Sequence, residues 1–196
     1  MSEAKNTIYG NTDDCIERVL VSAEQIDEIT TRIAAEIDAT YKDSENRLLL
    51  LCILKGSVVF MGDHMKKIKT PVEIDFMKVS SYHSGTVSSG KVNIMLDIHR
   101  KDLSELDIVI VEDIIDSGRT LSYLVNYLKL NGAASVRCCT LLDKPERRDS
   151  ELKDFKADFV GCVIPDEFVI GYGLDYDEQF RALPYVGILK PSVYEK

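Results

Sequence analysis

No stretch of the sequence approaches the roughly 18 consecutive apolar residues that a membrane-spanning helix needs. Its start, "MSEAKNTIYGNTDD", has no basic segment followed by an apolar one, so neither a secretory leader nor a membrane anchor is expected and a cytoplasmic protein is. Positive charge is also in short supply. Lys and Arg number 24 against 33 Asp and Glu, a net charge of -9, which argues against nucleic acid as a partner because such a surface needs clustered cations to displace counterions. An anionic small molecule is still compatible with this balance if a few basic residues and a cation gather locally. The five cysteines, Cys15, Cys52, Cys138, Cys139 and Cys162, show no C-x-x-C spacing, and four lie in apolar runs. Reduced, buried thiols follow. The three histidines, His64, His83 and His99, are far apart and match no zinc pattern, so any metal should be held by oxygen. Internal repeats, low-complexity tracts, G-x-x-x-x-G-K-[ST] and G-x-G-x-x-G are all missing, which excludes a Walker-type ATP loop and a Rossmann dinucleotide turn.

What is present is an ordinary globular composition, 45% hydrophobic and 29% charged over 196 residues. That length suits one α/β domain able to bury roughly 70% of its unfolded surface. "SAEQIDEITTRIAAEID" opens with a capping-box pattern, Ser22 to Gln25, and sets Ile26, Ile29, Ile33 and Ile37 on one helical face. The unalternating run 48–54 reads as a strand buried on both faces, and Ser57 is placed to cap the next helix, which should stop before Pro71. "PVEIDFMKVSSY" predicts a strand, and "HSGTVSSG" after it a mobile loop. Further strands are expected near 92–96, in "DIVIV", "SVRCCTLL", "DFVGCVI" and "YVGILK". Helices recurring between apolar strands imply a mostly parallel sheet with right-handed crossovers.

The informative stretch is "DIVIVEDIIDSGRTLSYLVNYL". An apolar, β-branched run, 108–111, leads into an amphipathic helix carrying Leu121, Leu124, Val125 and Leu128, and the linking residues include Glu112, Asp113 and Asp116. Ligands of open parallel sheets bind beyond the carboxyl ends of the strands, where helix N-termini point. Amides from Asp116 to Thr120, with Gly118 permitting close approach, would cradle a phosphate aided by the hydroxyls of Ser117 and Thr120. Glu112 and Asp113 would hold sugar hydroxyls or hydrated magnesium. Each acid alone could equally complement the helix dipole, worth about 0.3–1 kcal/mol. Two adjacent acids closing a β-branched run lose strand propensity without a packing return, and together they favour a site.

The run "VIVEDIIDSGRT" resembles the phosphoribosyl-pyrophosphate motif of the type I phosphoribosyltransferases, specifically the hypoxanthine-guanine branch. The likeness continues through "LCILKGS", "VSSY", "LLDKPERR", "IPDEFVIGYGLDY" and "FRAL". It implies a parallel core sheet flanked by helices, with a small hood formed by parts of the N- and C-terminal segments, in a single domain spanning 1–196. It also implies purine salvage: 5-phosphoribosyl pyrophosphate plus hypoxanthine or guanine giving IMP or GMP and pyrophosphate, with Mg2+ as cofactor and a homodimer or homotetramer as the assembly.

By that resemblance Asp116 is the general acid/base at purine N7, and Ser117, Gly118, Arg119 and Thr120 bind the 5'-phosphate. Glu112 and Asp113 hold the ribose hydroxyls. Lys55 and Gly56 form the pyrophosphate loop, with a cis Lys55–Gly56 peptide, and Arg181 receives pyrophosphate. Lys144 contacts the 6-oxo group, Phe168 stacks on the base, Val169 offers backbone groups to its edge, and Asp175 joins Glu112 and Asp113 at magnesium while bordering the purine. Ser81 and Tyr82 form the lid. Glu167 and Ser80 stand where the human-type enzymes carry lysines, which points to the bacterial or protozoan branch; Arg119 keeps the charge of a more familiar lysine.

Overall fold

The protein is described by a computed structural model covering residues 6–81 and 92–195. The chain begins with β1 (Asn6–Thr7), β2 (Gly10–Asn11), α1 (Thr12–Cys15) and β3 (Ile16–Val21), followed by α2 (Ala23–Tyr41), β4 (Arg47–Leu54) and α3 (Val58–His64). Next come β5 (Val72–Ser81), β6 (Val92–Leu96), β7 (Leu106–Ile115), α4 (Arg119–Leu130) and β8 (Ser135–Asp143). Two short 3-10 turns lead to β9 (Phe159–Val163), and β10 (Val169–Ile170), β11 (Val186–Leu189) and α5 (Pro191–Tyr194) complete it. The Gly/Ser-rich segment expected to be a mobile loop lies outside the described residues, as do Tyr82 and His83. Ser81 closes β5.

The main sheet has the order β6-β5-β4-β7-β8-β9, parallel throughout except for β6, which runs antiparallel at one edge. Its centre is apolar on both faces because helices cover both. Leu48, Leu50 and Cys52 of β4, with Val109 and Val111 of β7, face α2 and α3. The alternate residues Leu49, Leu51, Ile53, Ile108 and Ile110 meet Leu121, Leu124 and Leu128 of α4. Period-2 alternation thus divides one uninterrupted hydrophobic run between two cores. The capping box of α2 is present, its Ser22 side chain accepting from Gln25 and the Gln25 side chain accepting from Ser22 N.

Two local expectations are corrected. Ser57 precedes α3 without capping it through its side chain; its Oγ instead accepts from Asp113 N at 3.1 Å, tying α3 to β7. β7 continues to Ile115, so Glu112 and Asp113 lie within the strand. Parallel pairing of Glu112 with Thr140 and Ile115 with Asp143 supplies the ladder that local propensity would have ended.

A second, antiparallel sheet has the order β10-β11-β3. It brings the N-terminal segment 16–21 against 186–189 and 169–170, so "YVGILK" contributes to this sheet and not to the main one. The turn after β10 reaches the tip of β4, since a Cβ on Gly173 would fall 1.9 Å from the Gly56 carbonyl oxygen.

Candidate active site

Three groups of side chains meet beyond the carboxyl ends of β4, β7 and β8. The first is the turn between β7 and α4. Gly118, at φ +81, lets the chain reverse into α4 and packs against Arg148, whose Cδ would be 3.0 Å from an added Cβ. Arg119 N lies 3.4 Å from Ser117 Oγ. Glu112, Asp116, Ser117, Gly118 and Thr120 line one cleft of about 390 Å3 with Ile114 and Arg147. The predicted cradle residues therefore come together. Arg119 is exposed and pairs with Asp149.

Arg147 and Arg148 went unassigned in the sequence, and both shape this turn. Arg147 Nε is 3.2 Å from Asp116 Oδ1 and 3.7 Å from Asp166 Oδ1. Arg148, its side chain only 4% exposed, pairs with Asp143 and donates to the carbonyls of Asp116 at 2.6 Å and Ile115 at 3.3 Å. A buried guanidinium thus fastens the turn from beneath, satisfying the Asp116 carbonyl and adding a second donor to the Ile115 carbonyl, which also accepts from Lys144 N at 2.9 Å.

The second group surrounds Lys144, which is 9% exposed. Its Nζ donates to the Glu167 carbonyl at 2.5 Å and lies 4.0 Å from Asp166. Burial pulls its pKa down, opposed by the charges of Asp116 and Asp166. Phe168 follows, 38% exposed, with Tyr194 stacked on it at 4.9 Å and Tyr176 at its edge at 5.6 Å. Val169 is buried in β10 opposite Ile188. Glu167 itself pairs with Arg18 at 2.8 Å.

The third group joins the tip of β4 to the segment 173–181. Lys55 Nζ is 2.9 Å from Glu178 Oε1, and Arg181 Nη2 lies 2.9 Å from Asp175 Oδ1 and 3.3 Å from Glu178 Oε2. Arg181 also donates to the Gly173 carbonyl at 2.8 Å. The cis peptide here is Leu54–Lys55, not the Lys55–Gly56 bond that the resemblance implies. Glycine is required at 56 by the closeness of the Asp113 carboxylate, and at 173 because a Cβ there would meet the Gly56 carbonyl.

Glu112 and Asp113 carry the strongest electrostatic perturbation of the site. Burial raises the Glu112 carboxyl well above its ordinary range, reinforced by the adjacent Asp113 charge; burial raises Asp113 too. Glu112 Oε2 is buried with no hydrogen-bond partner. An orphaned carboxylate oxygen invites a hydroxyl donor or a hard cation. Yet among the described residues no group of three or more His, Cys, Asp and Glu side chains is spaced to hold a metal. The expected set of Glu112, Asp113 and Asp175 is therefore not a ready-made cage, because Asp175 is held by Arg181 and by the amide of Glu178 at 2.9 Å. The donors still suit magnesium, which keeps several waters and binds through one or two carboxylates plus substrate oxygens.

A larger cleft of about 580 Å3 lies between α2, α3 and residues 181–184, but its lysines Lys66 and Lys67 are engaged by Asp63 and Asp27. The turn residues Glu112, Asp116, Ser117, Gly118 and Thr120 line the smaller cleft, whereas Arg181 lines the larger one.

Residues 22–177 match the family model of the phosphoribosyl transferase domain. The chain is 51% identical over 180 residues to the hypoxanthine-guanine phosphoribosyltransferase of Bacillus subtilis, covering 92% of this chain and 97% of that one. Among solved structures, a hypoxanthine phosphoribosyltransferase from Staphylococcus aureus superposes with a TM-score of 0.86 at 43% identity, covering 94% of this chain and 97% of the other. The hypoxanthine phosphoribosyltransferase of Trypanosoma cruzi, studied for the role of its C-terminal region in oligomeric state and activity, gives 0.85 at 38%, with 92% and 95% covered. With its fold, its strand-tip turn and a likeness over more than nine-tenths of its length in agreement, the chain belongs to the type I phosphoribosyltransferases, in their hypoxanthine-guanine branch.

Proposed function

We propose that this chain transfers 5-phosphoribose from 5-phosphoribosyl pyrophosphate to hypoxanthine or guanine, releasing IMP or GMP and pyrophosphate. The observation that carries the reading is the convergence of Glu112, Asp116, Ser117, Gly118 and Thr120 on one cleft at the strand tips. In this reading the amides and hydroxyls of Ser117 to Thr120 hold the 5'-phosphate at the start of α4. Glu112 and Asp113 accept from the ribose hydroxyls, and the orphaned Glu112 oxygen gains a partner. Phe168 stacks on the purine, Lys144 donates to its 6-oxo group, and the backbone near Val169 and Asp175 accepts from the 2-amino group of guanine. Asp116 takes the N7 proton as the base closes on the anomeric carbon. Lys55, Gly56 and Arg181 receive the departing pyrophosphate, offsetting charge that develops as the sugar becomes cation-like. Ser81 and Tyr82 close over the bond and exclude water. Glu112 and Asp113, joined by Asp175 where it is released from Arg181, would hold magnesium, which would supply further charge neutralisation.

The whole chain, 1–196, acts as a single domain with the small sheet as hood. Its proposed setting is the cytoplasm, in keeping with five free cysteines, and its proposed assembly is a homodimer or homotetramer. Among the described residues no helix is long and apolar enough to cross a membrane.

The test incubates the protein with 5-phosphoribosyl pyrophosphate, magnesium and each of hypoxanthine, guanine, xanthine and adenine, and identifies the nucleotide formed. IMP and GMP are expected, with xanthine poorer because its second oxygen would face backbone carbonyls. Failure to form either nucleotide overturns the reading.

A further inference from the structure

The two cations assigned to pyrophosphate are already joined by a single carboxylate. Glu178 meets Lys55 through Oε1 at 2.9 Å and Arg181 through Oε2 at 3.3 Å, so its two oxygens bridge a neighbour three residues on and a lysine 123 residues back. We propose that Glu178 is a positioning residue, an internal stand-in that holds Lys55 and Arg181 in register and yields them to the pyrophosphate group of the substrate. The contacts re-form as pyrophosphate departs, so Glu178 competes with the product for the same cations. This inference rests on the phosphoribosyl-transfer reading given above.

Three observations carry it. The backbone of Glu178 is anchored, because its amide donates to Asp175 Oδ2 at 2.9 Å, while its side chain is 61% exposed and can swing away. The loop also keeps Asp177 and Glu178 at φ +48 and +60, where L-residues are rarely found. Such conformations persist where the surrounding structure fixes them, and here they set the carboxylate between the cations. Finally, the Lys55–Glu178 pair is open to water, the two side chains being 51% and 61% exposed, so it is weak and easily exchanged, whereas Arg181 is 26% exposed and keeps Asp175 as a second partner when Glu178 leaves. A diphosphate brings several negative charges and more acceptor oxygens to the same two donors, and it should displace a single carboxylate. Burial in the core plays no part at this position.

Glu178→Gln keeps the size of the side chain and removes its charge. Titrating inorganic pyrophosphate with magnesium into wild type and variant reads the competition directly, without turnover. The variant should bind pyrophosphate about two- to tenfold more tightly, and KM for 5-phosphoribosyl pyrophosphate should fall by a similar factor, while KM for hypoxanthine stays unchanged. Glu178→Asp, which retains the charge, should return the affinity toward wild type. Unchanged or weaker pyrophosphate binding in Glu178→Gln overturns the proposal, as does a loss of kcat without tighter pyrophosphate binding, the sign of a merely structural strut. Nucleotide formation by wild type is measured alongside: its absence defeats the functional reading itself, whereas an active wild type with unaltered binding in the variant defeats only the role of Glu178.

Discussion

Gly56 and Asp113 approach so closely that no side chain fits between them: a Cβ on Gly56 would lie 1.6 Å from Asp113 Oδ2 and 2.8 Å from its carboxyl carbon. Nor can Asp113 readily give way. Its Oδ1 accepts from Ile114 N at 2.7 Å, and its own amide donates to Ser57 Oγ. Gly173 blocks the other side, itself at φ +101 with its missing Cβ 1.9 Å from the Gly56 carbonyl oxygen. Gly56→Ala should therefore displace the loop or the carboxylate by an ångström or more, and misplacement on that scale costs about 10²-fold in rate. Steady-state kinetics with 5-phosphoribosyl pyrophosphate varied should show the loss in kcat/KM; wild-type kinetics would mean that the packing at Gly56 is irrelevant to the site.

In the proposed reading, stability and substrate binding oppose each other at Glu112. Its carboxyl is raised in the folded protein above the ordinary value of 4.5 by burial and by Asp113. A raised group stabilises the fold while protonated, below the unfolded value, and that contribution is lost as pH rises through the folded value. Unliganded wild type should accordingly lose stability as pH climbs from the ordinary carboxylate range toward neutrality. Glu112→Gln should be more stable than wild type at pH 7 by about 0.5–2 kcal/mol and bind 5-phosphoribosyl pyrophosphate more weakly. Denaturant melts at pH 5 and pH 7 decide the first part, and a destabilised variant at pH 7 would contradict it.

His64 gives the opposite pH dependence. The ring is fully buried, stacks on Phe60 at 5.3 Å, and neither nitrogen finds a hydrogen-bond partner. Burial chiefly lowers its pKa from 6.5 to about 4. A depressed group contributes stability present above the unfolded value and lost as pH falls through the folded one. Between pH 6.5 and about 4 this residue should remove about 3 kcal/mol. His64→Leu leaves no polar atom stranded and should flatten that limb with little cost at neutral pH. An acid limb as steep in the variant as in wild type would assign the loss to other groups.

The sequence was most legible where one physical signal acted alone. Ile26, Ile33 and Ile37 mark the buried face of α2 through spacing, and β4 shows itself by apolar length. β3 was not legible, since "IERVLV" alternates poorly and its partner β11 lies some 170 residues away. The end of β7 was misjudged because two acids weaken strand propensity locally, while the ladder to β8 that overrides it is tertiary. The candidate site follows the same rule. Glu112 to Thr120 are contiguous and could be read as one turn, whereas Arg147, Arg148 and Glu178 act through Asp116, Asp143 and Lys55, and no spacing along the chain reports those contacts.

In the proposed reading, base selection turns on Lys144. Its ammonium is nearly buried, oriented by the Glu167 carbonyl at 2.5 Å, and has donors but no acceptor. A 6-oxo group satisfies it. Adenine instead turns amino hydrogens toward it, setting donor against donor in a desolvated site with only the Glu167 carbonyl as acceptor, and mismatches of this kind discriminate by up to about 10⁴. Lys144→Met keeps the length and apolar stem of the side chain while removing the charge, so the purine site should survive in shape. A hydrogen bond from a charged group contributes about 1.5–3 kcal/mol, so kcat/KM for hypoxanthine should fall by about 10–10²-fold. Adenine, which the lysine disfavours, should hold steady or improve, and the ratio between the two bases should contract accordingly. Measuring kcat/KM for both bases in wild type and variant settles the assignment: an unchanged hypoxanthine-to-adenine ratio would show that selection resides elsewhere in the pocket, in the backbone around Val169 or in the fit against Phe168.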